Sequence, residues 1–281
     1  MTLDEVITGI IYLIAVFILF FLGKFVYDKL NRRFVLREEL VKKDNLALAL
    51  SVFGYYFGLV IALGGVLSGE SAGWIDDLFD IFYYGIISII LLNISIFINN
   101  KIILSKFDNI KEIIEDQNAG TGMVEAGNHI AMGLIIYGAM SGDTGDLITA
   151  GAFWLLGQFV LIVAGAVYNW ITPFDIHEQI EKDNVAVGVA FAGALIAIGN
   201  VIRIGAAGDF ISWSENLSTF FGFVAFGLIM LPIVRWATDK ILLPGEKLTD
   251  ELVNQEKPNV GAAVIEAMSY IAASFLLGWV V

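Results

Sequence analysis

The sequence predicts an all-α polytopic membrane protein of about eight transmembrane helices, built as two parallel four-helix repeats. Three observations predict it: long uncharged apolar runs, a strict alternation of charge between the connections, and short motifs that recur in order. Of the 281 residues, 58% are hydrophobic and 16% are charged, whereas a soluble domain is typically about half apolar and about a quarter charged. Segments 6–23, 46–65, 81–98 and 217–234 carry no formal charge. Each approaches the roughly 20 residues that a helix needs to cross the hydrocarbon core. The chain has 29 glycines and 4 prolines, and glycine lets membrane helices approach closely.

The first predicted helix covers 5–28. It opens on Met1-Thr2-Leu3-Asp4-Glu5 with no basic leader, and its positive charges follow the run. It is therefore expected to remain as a helix and not to be removed as a signal peptide. The second and third cover 46–68 and 78–104. The fourth, 119–140, is the weakest, because Glu125, Asn128 and His129 interrupt its first half. The uncharged remainder is too short to span alone, so the helix has to include them. Segments 147–171, 184–206, 216–243 and 259–281 complete the set.

Charge placement sets the predicted orientation. Of the 16 Lys and Arg residues, 15 fall between helices one and two, three and four, five and six, or seven and eight; Lys106 is among them, and only Arg203 lies at the other side. The opposite connections carry Glu70, Asp76, Asp77, Asp143, Asp146, Asp209 and Glu215. The positive-inside rule then places the basic connections in the cytoplasm and both termini outside.

The halves repeat. Lys43-Asp44-Asn45-Leu46-Ala47 returns 139 residues later as Lys182-Asp183-Asn184-Val185-Ala186, and Trp74-x-Asp76-x-Leu78 returns as Trp213-x-Glu215-x-Leu217. Asn118-x-Gly120-x-x-x-x-Glu125-Ala126 returns after 141 as Asn259-x-Gly261-x-x-x-x-Glu266-Ala267, and Ile7-Thr8 with Val26-Tyr27 as Ile148-Thr149 with Val167-Tyr168. The copies span 1–142 and 143–281. An even number of helices makes them enter from the same side, which predicts a pseudo-twofold along the membrane normal. In helix two, Ala47, Ser51, Gly54, Gly58, Ala62, Gly65 and Gly69 form a small-residue stripe, kept in helix six as Ala186, Ala190, Gly193 and Ala197. Such a stripe predicts a close helix–helix contact.

Glu125 and Glu266 are the candidate functional residues. A charge at the bilayer centre costs at least roughly 2.5–3.5 kcal/mol, and such residues usually face the bundle interior and mark a pathway or relay. Both lie about 10 Å along their helices from the preceding asparagine, at a rise of about 1.5 Å per residue. The same face carries Asn118, Gly122 and His129 in one copy, and Asn259, Ala262 and Tyr270 in the other. The functional reading is a pair of carboxylates that exchange a proton for a cation; the alternative is a structural hydrogen bond to a neighbouring helix. His129 is a possible relay partner, although a histidine there also suits packing. Asp44-Asn45 and Asp183-Asn184 precede helices two and six, where they suit N-caps or, alternatively, oxygen ligands on the cytoplasmic side.

The composition excludes several classes. A net charge of −13 argues against a nucleic-acid partner. With no cysteine and two histidines, any metal would be a hard cation on oxygen ligands, with Glu125 and Glu266 as its expected positions. No P-loop, HExxH, GxSxG or dinucleotide fingerprint occurs, so neither an enzyme nor a cofactor is expected.

Asp-Asn-x-Ala before a small-residue helix, with Asn-x-Gly-x-x-x-x-Glu opening the fourth, resembles the YjfL-like family, catalogued as domain of unknown function 350. The resemblance covers nearly the whole chain, once per half. It implies a bacterial inner-membrane protein with the four-helix unit in tandem, and carries Asp44, Asn45, Glu125, Asp183, Asn184 and Glu266 over as the functional positions. It also implies a proton-coupled transport role. The expected function is thus proton-coupled transport of a cation, with the lipid bilayer, protons and a hard cation as partners and a homodimer as an option. A non-transporting membrane scaffold in envelope stress or membrane organisation, or an ion channel, are the alternatives.

Overall fold

The computed structural model describes residues 2–103, 108–243 and 245–280, and these form only helices and connections. Lys106 and the predicted ends at Leu104 and Val281 lie outside the described residues. In chain order the helices are Leu3–Leu30 (α1), Leu46–Val66 (α2), Trp74–Ile102 (α3), Asn109–Ile114 (α4), Ala119–Met140 (α5), Leu147–Ile171 (α6), Ile176–Glu181 (α7), Val185–Ala206 (α8), Trp213–Ala237 (α9), Leu248–Val253 (α10) and Val260–Val280 (α11). Single π-helical turns occupy Glu38–Lys42 and Thr238–Leu242.

Seven of the described helices are long and apolar enough to cross a membrane. The eighth long helix is α5, whose 22 residues include Thr121, Glu125, Asn128 and His129, all buried. It lies between α2 and α8 and crosses with them, shielded from lipid by its neighbours.

The molecule is built from four hairpins. Each starts with a long outer helix (α1, α3, α6 or α9), turns through a short segment, and returns as an inner helix (α2, α5, α8 or α11). The inner helices pack side by side in the order α2, α5, α8, α11. They are parallel: Gly122 and Gly133 of α5 meet Ala47 and Gly58 of α2, in ascending order on both helices. The approach leaves no room for side chains. A Cβ on Gly54 would stand 2.3 Å from the Cα of Ala126, and one on Gly193 would stand 2.4 Å from the Cα of Ala267. The predicted stripe is thus a helix contact as far as Gly65, held by van der Waals packing where lipid gives no hydrophobic drive, whereas Gly69 lies beyond the end of α2 and meets Asp143.

The row is open. A pseudo-twofold between the halves would make the α5–α8 contact recur as α11 against α2, yet no substantial interface joins α2 to α11 among the described residues. The halves are parallel, as the motif order predicts, but stack head to tail. The expected twofold is corrected accordingly. An even count of helices fixes the direction of the halves and not the partner of each face.

One device starts every inner helix. The side chains of Asn45, Asn118, Asn184 and Asn259 accept from the backbone N–H of Leu48, Thr121, Val187 and Ala262 at 3.0–3.1 Å. The amide of each then ties the cap to a short helix: Asn45 to the carbonyl of Ile113, Asn118 to that of Ile180, Asn184 to that of Leu252, and Asn259 to the Glu251 carboxylate. The first three of these bonds cross to the next hairpin in the row. Asp44 and Asp183 are not caps. Both are exposed and sit at φ 52° and 60° in the left-handed region, as Gln117 does at 53°. The cap position goes to asparagine because the short helix needs one left-handed residue to turn into the next.

Candidate functional site

Glu125 lies six residues into α5, facing α2, α4 and the end of α1. The hydroxyl of Ser51 donates to its carboxylate at 2.5 Å, and the amide of Asn109 donates at 3.4 Å. Glu125 is 6% exposed, and no Lys or Arg pairs with it among the described residues. His129 bonds to Ser51 and not to the carboxylate. Its Nδ1 donates to the Ser51 carbonyl at 3.1 Å, which leaves Nε2 as an acceptor without a protein partner. Ser51 therefore connects the two side chains.

These groups border a cavity of about 90 Å³ whose lining includes Tyr27, Phe34, Ile96, Asn109, Glu125 and His129. It shares Tyr27, Asn31, Ile96, Asn100, Asn109 and Ile110 with a cleft of about 860 Å³ between α1 and α3. The cleft is walled by aliphatic side chains, and Arg33 and Lys101 stand at its end. A separate acidic cavity of about 560 Å³ at the other end of the bundle includes Glu70, Asp77, Asp80, Asp143 and Asp146.

Glu266 occupies the matching position of α11 in a different setting. It is 0% exposed and forms an ion pair with Arg235 of α9, whose side chain is 11% exposed. Tyr168 and Tyr270 donate to the same carboxylate oxygen at 3.2 and 3.4 Å. Arg235 also donates to Thr249 at 3.4 Å and stands 5.9 Å from the centre of the Phe174 ring. Removing two charges from water is costly, and close pairing with further hydrogen bonds offsets that cost.

The predicted site residues therefore separate into three sets. Glu125 and His129 share one cavity. Glu266 and Tyr270 share a closed ion-paired cluster. Asn45, Asn118, Asn184 and Asn259 are caps, and Asp44 and Asp183 face solvent. The expected metal positions gain no further ligands, since no group of three His, Cys, Asp or Glu is placed to hold an ion among the described residues.

Asn109 and Arg235 are site residues that no motif singles out, while Ser51 appears in the sequence only as a member of the small-residue stripe and Tyr27 and Tyr168 only as a repeat match. Arg235 carried a signal: it sits 139 residues after Ile96, so one copy gained an arginine inside a segment that otherwise excludes charge. A buried glutamate needs such a counter-ion.

Fold and site together define a polytopic helical membrane protein with a carboxylate inside the membrane part of each half. The chain belongs to the family described as Domain of Unknown Function (DUF350), whose model matches twice, at residues 1–140 and 143–281. It is 25% identical over 272 residues to a UPF0719 transmembrane protein of Aquifex aeolicus (strain VF5), covering 94% of this chain and 97% of that one. It is also 25% identical over 112 residues to the UPF0719 transmembrane protein YshE of Bacillus subtilis (strain 168), covering 40% of this chain and 79% of the relative. No solved structure matches it significantly.

Proposed function

We propose that the protein is a proton-coupled cation transporter of a bacterial inner membrane, with both termini outside and the basic connections in the cytoplasm. Glu125 alternates between a protonated carboxyl and a cation-bound carboxylate, while Glu266 is held as a fixed ion pair. The observation that carries this reading is that Glu125 is a buried acid with no basic partner among the described residues, on a cavity that opens toward the basic end of the bundle. An ionisable residue inside a membrane marks a pathway or relay by default. A carboxylate already neutralised by a guanidinium, as at Glu266, has little attraction left for a mobile cation. The acidic residues at the other end, Glu70, Asp77, Asp80, Asp143 and Asp146, raise the local concentration of cations. Between the two ends the inner helices are packed to backbone contact, with Gly65 against Tyr137 and Gly138 against Arg203.

The test is flux in liposomes of the purified protein with a trapped pH dye and imposed cation gradients. Wild type and Glu266→Gln are expected to move protons against a cation gradient, whereas Glu125→Gln, which keeps shape and hydrogen bonding but cannot titrate, is expected to be silent. Wild-type flux that survives Glu125→Gln refutes the assigned role. Absence of flux in wild type under every cation gradient refutes transport.

A further inference from the structure

The two halves differ at one place in a way that points to a ligand. In the second half the Arg235 guanidinium fills the space beside Glu266, and its surroundings are Tyr168, Tyr270, Thr249 and the Phe174 ring. Taking each neighbour back by the repeat offset gives its counterpart in the first half. Tyr168 and Tyr270 correspond to Tyr27 and His129, displaced by 141; Thr249 corresponds to Ile110, displaced by 139. Phe174, three residues after α6, has its counterpart by place in Phe34, four residues after α1, at a displacement of 140 between the two repeat offsets. All four counterparts, with Glu125 itself, line the 90 Å³ cavity. Arg235 corresponds to Ile96, also on that lining. The first half thus keeps the carboxylate and the aromatic surroundings of a bound guanidinium but lacks the guanidinium. In its place the cavity shares Ile96 and five other lining residues with the α1–α3 cleft, and two polar groups are added, Ser51 and Asn109, where the second half has Ala190 and Leu248.

We propose that the Glu125 cavity binds the head of an organic cation, an alkylguanidinium or alkylammonium, whose apolar tail lies in the cleft between α1 and α3. This rests on the transport reading for Glu125 and names the class of its substrate. The head takes the position that Arg235 takes beside Glu266. Glu125 accepts its hydrogen bonds, as a charge-assisted pair, and the Tyr27 and Phe34 rings face its positive charge. The tail meets Leu22, Val26, Ile89, Ile90 and Ile94. At about 860 Å³ the cleft falls in the roughly 300–1,000 Å³ range of small-molecule sites, which are mostly apolar with a few placed polar groups. A bare inorganic ion would leave that apolar volume unused.

Hexylguanidinium and its neutral near-isostere hexylurea are the probes, titrated calorimetrically into protein in phosphatidylcholine nanodiscs. Hexylguanidinium is expected to bind wild type, with hexylurea at least about tenfold weaker, the loss expected for one hydrogen bond to a charged partner. Glu125→Gln is expected to weaken hexylguanidinium by a similar factor. Ile96→Arg, which copies the second half, is expected to abolish it by supplying the guanidinium from within. Equal affinity for the two probes, or binding unchanged by both substitutions, overturns the proposal and leaves a merely apolar cleft. Should Ile96→Arg fail to fold, Glu125→Gln and the hexylurea comparison decide the matter. Liposome flux separates the two readings. Glu125-dependent exchange of protons for an inorganic cation, with no binding of hexylguanidinium, keeps the transport reading and overturns this one; binding without flux does the reverse.

Discussion

Replacing Arg235 by methionine keeps the aliphatic stem and removes the charge, leaving Glu266 in a setting where it is 0% exposed. Breaking a buried pair from one side typically costs 3–5 kcal/mol, because the remaining charge loses its compensation. The cost should fall in the lower part of that range here, since Tyr168 and Tyr270 still donate to the carboxylate and hydrogen bonds to a charged group retain about 1.5–3 kcal/mol each. Glu266→Gln strands a guanidinium that is 11% exposed and keeps its bond to Thr249, so its loss should be smaller, about 2–3 kcal/mol. The double variant Arg235→Met/Glu266→Gln removes both charges and should recover to within about 1–2 kcal/mol of wild type, giving a coupling energy above the roughly 0.5 kcal/mol expected of independent sites. Equilibrium unfolding in bicelles, followed by tryptophan fluorescence across all four proteins, measures the cycle. Losses that simply add in the double variant would refute the view that the pair is a mutually compensated unit. A loss below about 1 kcal/mol in Arg235→Met would show that the pair behaves as an exposed one.

Three further outcomes follow from the packing, the caps and the charge pattern. Gly193→Leu forces a side chain into the Ala267 backbone 2.4 Å away and should cost about 1–3 kcal/mol or more, whereas Gly222→Ala meets nothing within 4 Å and should stabilise by about 0.5–1 kcal/mol; thermal unfolding in detergent distinguishes them, and equal effects would sink the close-packed row. Asn118→Ala removes the cap bond to Thr121 and the bond to Ile180 and should cost about 1–2 kcal/mol, while Asp44→Gly, at φ 52°, should be neutral or stabilising by about 0.4–1 kcal/mol, because glycine suits the left-handed region; the reverse ranking in denaturant titrations would return the cap role to aspartate. Cysteines placed singly at Ser71 and Arg33 of this cysteine-free chain should label oppositely in intact cells with an impermeant maleimide, Ser71→Cys reacting and Arg33→Cys silent. Labelling of Arg33→Cys alone would invert the orientation.

The helices were legible because lipid demands long apolar runs, and the segments predicted at 119–140 and 147–171 coincide with α5 and α6. The position of Glu125 and Glu266 was legible for the same reason, as charge where charge is costly. Their different surroundings were not, since those come from helices that are distant in sequence: Ser51 lies 74 residues from Glu125, and Tyr168 lies 98 from Glu266. The stripe on α2 predicts packing, and Gly54 and Gly58 pack, but Ser51 within it is a hydrogen-bond donor to the site. A pattern of small residues does not separate a member that merely fits from one that bonds. The four-hairpin order is written in a shorter motif, since Asn-x-Ala or Asn-x-Gly recurs at 45, 118, 184 and 259, twice per half. A search for the longest repeat passes over the shorter one inside it.

The open row gives duplication a physical use. A chain with one four-helix unit extends such a row only by adding identical copies, and every copy then carries the same residue at the position of Ile96 and Arg235. Either all the intramembrane carboxylates are closed by an internal arginine, or none is. Joining two units in one chain removes that constraint. Here one copy is closed by Arg235, with both charges compensated inside the protein, and the other keeps its carboxylate on a cavity with a cleft beside it. The closed copy also bears on the open one, because α8 packs against α5 with Gly188 on Gly120 and Gly127 on Ala192. The caps reinforce this, as Asn118 at the head of α5 is bonded to the end of α7 in the second half. A partner on each side, α8 on one flank and α2 on the other, presses on the full length of the helix bearing Glu125 and fixes where that carboxylate points.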